Sequence, residues 1–265
     1  MSRLLRKTLV VNVPARPVPA RTVDVSTASP IEALAALLSQ ELIATEAEIA
    51  LRMESPVGLI PDVAHHLIDA GGKRLRPILT LAAATICGGG GLAAVKLATA
   101  VDDVVDGSSL RRGKRAANLI WGDKASVLVG DFLFARAFNL MVETGSLRIL
   151  DILAKASSTI AEGEVLQLAS TNRGEASRER YHQVIEAKTA ALFRAACQAG
   201  ALTATTDETA VSAFATYGNE LGLAFQLVDD ALDYGGAAHA MGKNTGDDFR
   251  EGKATWPLII AMERA

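Results

Sequence analysis

Two short acidic stretches contain the residues best able to do chemistry: Asp102-Asp103-Val104-Val105-Asp106 and, far downstream, Asp229-Asp230-Ala231-Leu232-Asp233. On an α-helix of 3.6 residues per turn, positions four apart share a face, so each stretch aims its first and last carboxylates in nearly one direction. At this Asp content one such match arises by chance about 0.05 times per chain, and two about 0.001 times. Clustered carboxylates repel and raise one another's pKa unless a cation intervenes. Two clusters of hard oxygens suit Mg²⁺ with its waters and a phosphate ligand. The alternative is two solvated helix faces, and the aliphatic flanks, Ala98 to Val101 and Leu223 to Val228, argue against it.

A third stretch supplies the opposite charge. Gly71-Gly72-Lys73-Arg74-Leu75-Arg76-Pro77 packs three cations into four positions of a turn whose glycines let backbone approach a ligand, with Pro77 set to begin a helix. Taken alone, this is equally a solvated basic loop. Set beside the acidic pair, it describes a diphosphate site.

The elements that must position these residues read as helices. The composition is 49% hydrophobic but only 5% aromatic, as expected of a core built from Ala, Leu and Val. No strand-length run of period two and no repeat beyond the acidic pair is present. Ser29-Pro30-Ile31-Glu32 is a capping box opening a helix through about Arg52. Pro61 begins a helix stopped by Gly71, and Leu92 begins one that runs into Asp102. Asp123 to Glu143, Ser146 to Ala169, Ser177 to Ala199 and a helix capped by Thr206 or Asp207 follow, with Thr171 to Glu175 as a polar loop. The last of these helices carries the second acidic stretch to Gly235-Gly236, and Trp256-Pro257 opens another. The formal net charge of −3 offers nothing to nucleic acid, and no apolar run approaches the ~20 residues of a membrane span. Cys87 and Cys197 lack metal-ligand spacing and read as reduced, buried thiols. Residues 1–28, with five basic residues and three prolines, read as a flexible basic arm preceding one helical domain over 29–265. The arm's composition also fits a mitochondrial transit peptide, although its prolines interrupt a long amphipathic helix. The expected location is cytoplasmic, with the mitochondrial matrix as the alternative.

Together these stretches form a recognisable series. Gly71 to Pro77, Asp102 to Asp106 with Arg111-Arg112-Gly113, Gly130-Asp131, Gly163-Glu164-Val165, Lys188-Thr189, Phe225-Gln226 with Asp229 to Asp233, and Gly242-Lys243-Asn244 with Gly246-Asp247-Asp248 resemble, in order, the motifs of trans-polyprenyl diphosphate synthases. The wording is closest to the long-chain members, such as octaprenyl to decaprenyl diphosphate synthases. The resemblance implies an all-α, isoprenoid-synthase-like bundle around a deep central cavity, usually homodimeric. It implies about three Mg²⁺ bound with an allylic diphosphate: Asp102 and Asp106 would hold two and Asp229 the third, while Asp103, Asp230 and Asp233 orient waters or share ligation. Arg111, Lys188, Gln226, Lys243 and Lys253 would contact the allylic diphosphate, and Lys73, Arg76 and Arg112 the isopentenyl diphosphate. Thr189 and Gln226 would face the allylic cation, and the growing chain would pass residues such as Leu128, Phe132 and Phe193.

The implied activity is Mg²⁺-dependent, head-to-tail addition of isopentenyl units, giving a long all-trans polyprenyl diphosphate for quinone side chains. Two alternatives are a non-catalytic partner subunit, which tends to lose one acidic cluster, and a class I terpene cyclase, which would carry an Asn/Ser/Glu triad in place of the second. Both clusters are intact here, and Asp229 to Asp233 is no such triad. Family members carry about ten further residues before the equivalent of Asp102, roughly 15 Å of helix, including a histidine for isopentenyl diphosphate. They also place final helices after the equivalent of Ala265. Glu162-Gly163-Glu164 reads best as a polar notch where two helices approach closely.

Overall fold

The computed structural model describes residues 29–69, 74–103, 110–111, 114–115, 117–234 and 246–265; the N-terminal arm lies outside them. Ser29 opens α1 (Pro30–Leu37) with the expected reciprocal cap, its backbone N–H donating to Glu32 Oε2 at 2.8 Å. The single helix expected to Arg52 instead breaks at Leu38, and α2 (Ser39–Met53) resumes beyond it. The break seats Leu38 in a core cluster with Ile78, Leu81 and Ala98. α3 (Leu59–Asp69) and α4 (Leu75–Ile86) each start two residues before the proline expected to begin them. Arg74, with φ of 46°, makes the turn into α4.

α5 (Leu92–Asp103) ends on the first acidic stretch. β1 (Leu110–Arg111) and β2 (Lys114–Arg115) then pair antiparallel, Leu110 opposite Arg115, a ladder too short to leave a period-two signal. After α6 (Ala117–Trp121) come two long helices, α7 (Asp123–Glu143) and α8 (Leu147–Arg173). The latter is capped by Ser146 and absorbs most of the polar loop expected at Thr171 to Glu175, because Asn172 and Arg173 sit on its exposed side and Gly174 ends it in the left-handed region. The helix expected over Ser177 to Ala199 is interrupted: α9 (Arg178–Ile185) passes through a π-helical turn (Glu186–Ala190) into α10 (Ala191–Leu202). α11 (Glu208–Tyr234) is capped by Asp207, whose Oδ1 accepts from Thr209 N–H at 2.9 Å. α12 (Asp247–Arg250) and α13 (Trp256–Arg264) follow, and the described residues are all-α as expected apart from the β1–β2 ladder.

α10 is buried along almost its whole length, Arg194 alone being exposed, the pattern of a core helix. Its Leu192, Ala195, Ala196 and Ala199 pack with Leu97, Ala100 and Val101 of α5 and with apolar residues of α7 and α8. On its other flanks lie α4 and α11, brought to backbone distance by glycine. A methyl at Gly200 would run into the Thr80 carbonyl, one at Gly218 would lie 2.5 Å from the Phe193 oxygen, and one at Gly222 2.6 Å from Ala190 Cα. Among the described residues α7, 21 residues long with mean hydropathy 1.5 over an 18-residue window, is the one helix apolar enough by length and composition to cross a membrane. It packs against α3, α5, α6 and α8 as a wall of the bundle.

A charge cluster ties α2, α5 and α7 together. Arg52 donates to both Glu143 oxygens at 2.7 and 2.8 Å, and Lys96 Nζ lies 2.6 Å from Oε2. Arg52 and Lys96 hold the Glu143 carboxyl down at about 2. A depressed carboxyl stabilises the fold above its unfolded value near 4.5, and the contribution fades as pH falls toward 2. Glu143→Gln is therefore expected to cost about 1 kcal/mol at pH 7 for this partly exposed network. The gap between variant and wild-type melting curves should narrow from pH 4.5 downward.

Candidate active site

Helix directions decide where the chemistry-bearing residues meet. In α4, Arg76 and Ala83 touch Phe193 and Ala201 respectively, so α4 and α10 run the same way. α11 runs opposite: its Val211 meets Ala201, while Gly222 meets Ala190. α5 returns antiparallel to α4, and Asp102 near its end forms an ion pair with Arg74 before the start of α4. The start of α4, the end of α5, the π-helical turn and the end of α11 therefore lie at one end of the bundle. This brings Arg76, Asp102, Lys188, Thr189, Gln226 and Asp229 to the same level.

At that end Lys188, Thr189, Gln226, Asp230, Asp248 and Lys253 line a pocket of about 250 Å³. The π-helical turn, a bulge that often marks functional positions, presents Lys188 and Thr189. Lys188 Nζ lies 2.9 Å from Glu164 Oε1 and donates to Gln167 Oε1 at 3.0 Å, both on α8. Thr189 Oγ1 donates to Gln226 Oε1 at 2.7 Å, and Gln226 Nε2 donates to Asp230 Oδ1 at 2.7 Å. Tyr181 completes the chain, its hydroxyl donating to Asp230 Oδ2 at 2.6 Å.

The three aspartates of α11 have different surroundings. Asp230 and Asp233 are buried, whereas Asp229 is half-buried. Burial pushes the Asp230 carboxyl up against the lowering effect of its two hydrogen bonds. Asp233 anchors the following segment: its backbone oxygen accepts from Gly246 N–H at 3.0 Å and its Oδ2 from Asp248 N–H at 3.3 Å. Burial also raises Asp248, with Lys253 opposing. For Lys253 burial acts downward but is outweighed by Glu251, 2.6 Å away, and by Asp248, so its ammonium is held charged.

A family model described as Polyprenyl synthetase matches residues 57–265. The chain belongs to the polyprenyl synthetase family. It is 42% identical over 242 residues to octaprenyl diphosphate synthase of Escherichia coli (strain K12), covering 88% of this chain and 75% of that relative. Among solved structures it is similar to a polyprenyl synthase from Caulobacter crescentus CB15 complexed with calcium and isoprenyl diphosphate, with TM-score 0.83, 55% identity, and coverage of 88% and 74%. A decaprenyl diphosphate synthase from Rhodobacter capsulatus gives TM-score 0.81 at 51% identity, covering 89% of this chain and 76% of its own.

The expected site residues divide in three. Lys188, Thr189, Gln226, Asp230 and Lys253 share one pocket. Arg76, Asp102, Asp229 and Asp233 stand at the same end, with Arg76 stacked over the Phe193 ring at 5.6 Å. Lys73, Asp106, Arg112 and Lys243, and the side chains of Asp103 and Arg111, lie outside the described residues. Among the described residues no group of three or more His, Cys, Asp and Glu could by itself hold a metal ion. Phe193 is buried in the packing of α4, α10 and α11 rather than lining an open channel, whereas Leu128 is exposed and Phe132 half-buried. Cys197 is buried as expected, but Cys87 is only half-buried. The sequence reading missed Tyr181 and Gln167, and placed Arg74 only as one cation of the basic turn rather than as the partner of Asp102. Tyr181 lies seven residues before Lys188, a spacing that puts both on one helical face, but no charge or glycine marks it.

Gly163 is the notch expected from the sequence: a methyl there would lie 2.9 Å from Ala187 Cβ and 3.0 Å from Lys188 N. Gly163→Ala is expected to lower unfolding free energy by about 1–3 kcal/mol through overpacking. Gly130→Ala, where a methyl meets nothing within 4 Å, should instead raise it by about 0.5–1 kcal/mol through helix propensity. Paired urea titrations read both signs.

Proposed function

We propose that this chain is a long-chain trans-polyprenyl diphosphate synthase, adding isopentenyl diphosphate head-to-tail to an allylic diphosphate. The observation that carries this reading is the convergence of Arg76, Asp102, Lys188, Thr189, Gln226 and Asp229 at one end of the bundle, from four separate elements.

Lys188 and Lys253, both on the pocket wall, hold the allylic diphosphate. Glu164 and Gln167 set the direction of the Lys188 ammonium. Arg76, with Lys73 and Arg112, binds isopentenyl diphosphate by forked donation to phosphate oxygens. Thr189 and Gln226 turn oxygen dipoles toward the charge that develops as the C–O bond ionises. The departed diphosphate accepts the final proton. Asp102, Asp106 and Asp229 supply hard oxygen donors suited to Mg²⁺, about three ions with the diphosphate. Bound Mg²⁺ neutralises the leaving group. Asp230, with both oxygens accepting from protein donors, serves position rather than direct ligation.

Exposed apolar residues along α7 and α8, including Val127, Leu128, Val165 and Leu168, support a homodimer, since monomers rarely leave such stretches uncovered. Quinone side chains are the proposed destination of the product.

Purified protein incubated with Mg²⁺, farnesyl diphosphate and labelled isopentenyl diphosphate is expected to yield products well beyond a single addition, sized by chromatography. No extension at all would favour the non-catalytic partner-subunit reading. Asp229→Ala should cut turnover at least about 100-fold with the helical far-ultraviolet spectrum intact; retained turnover would remove Asp229 from the metal site.

A further inference from the structure

We propose that Tyr181 is a positioning residue for the reaction, fixing through Asp230 the direction in which the Gln226 amide presents its oxygen. The inference rests on the reading of the site as a prenyl-transfer centre. It begins from the satisfaction of donors. An ionised carboxylate only accepts, so the group facing Asp230 Oδ1 must donate. Gln226 therefore turns its Nε2 toward Asp230, at 2.7 Å, and its Oε1 toward Thr189, at 2.7 Å. Were Asp230 to rotate away, nothing in this chain of bonds would prevent the amide from turning over.

Tyr181 prevents that rotation. Its hydroxyl occupies the other carboxylate oxygen at 2.6 Å, and Asp230 and Tyr181 are 4% and 6% exposed, so water does not readily replace the bond. The phenol ring is itself held: it packs with Ile185 and Ile259 and lies against the Trp256 ring at 5.7 Å between centroids. α9 and α13 thus brace a carboxylate on α11, which in turn orients an amide beside the π-helical turn. Groups that orient site residues in this way typically change activity by 10–100-fold when removed.

The test is Tyr181→Phe, which keeps the ring and removes the hydroxyl, in the full chain. Expected are a kcat about tenfold lower with farnesyl diphosphate, a KM for isopentenyl diphosphate changed less than twofold, and a thermal shift from Mg²⁺ plus pyrophosphate reduced by at least half. Adding Tyr181→Phe to Asp230→Asn should cost less than a further twofold, because both act through one bond. Should Tyr181→Phe fold poorly, Asp230→Asn alone must reproduce the kcat loss at constant KM. Wild-type kcat with a full thermal shift, or losses that multiply in the double variant, would overturn the proposal. A wild-type protein without transferase activity would defeat the prenyl-transfer reading instead, and the Mg²⁺-pyrophosphate shift would still decide the role of Tyr181.

Discussion

The close approach of α10 to its neighbours is the constraint from which the site follows. Gly200, Gly218 and Gly222 allow α4 and α11 to touch backbone on either flank of α10, and side chains at any of these points would force the helices apart. The Thr189–Gln226 hydrogen bond, at 2.7 Å, exists only because α11 passes this near to Ala190. Packing density and chemistry share one cause here. Gly163 repeats the principle on the α8 side, where Lys188 meets Glu164 and Gln167.

Burial then divides the second acidic cluster by role. Three aspartates look alike in sequence, but one helix face turns Asp230 into the protein and another leaves Asp229 half-buried. A buried carboxylate must find donors. Asp230 finds Tyr181 and Gln226, and Asp233 finds the backbone of Asp248. The first cluster is set by helix length. α4 and α5 are both 12 residues long and antiparallel, so Asp102 returns to the level of Arg74 and pairs with it. Ten further residues in α5 would carry Asp102 about 15 Å past that level.

Much of this was legible in advance because its signals are local. The caps at Ser29, Ser146, Ser177 and Asp207, the αL glycines and the aliphatic periodicity place most helices within a few residues. The breaks were not legible. Leu38 interrupts a regular pattern to reach a distant cluster, and the π-helical turn inserts a residue into a ladder whose sequence, Glu186 to Ala190, is ordinary helix. Both are decided by contacts far along the chain. The expected lining role of Phe193 failed for a similar reason: helical position identified an inward face, but several helices meet there and only packing tells core from channel.

The sequence by itself determined the fold class, the order of helices, the family and the identity of most charged groups at the site, since these depend on periodicity, capping chemistry and motif order. Tertiary structure alone decided which aspartate is anchored and which is half-buried, which way the Gln226 amide faces, and that Tyr181 belongs to the site. Those outcomes depend on distances between helices remote in sequence, and a hydrogen bond of 2.6 Å between positions 181 and 230 leaves no local trace in either.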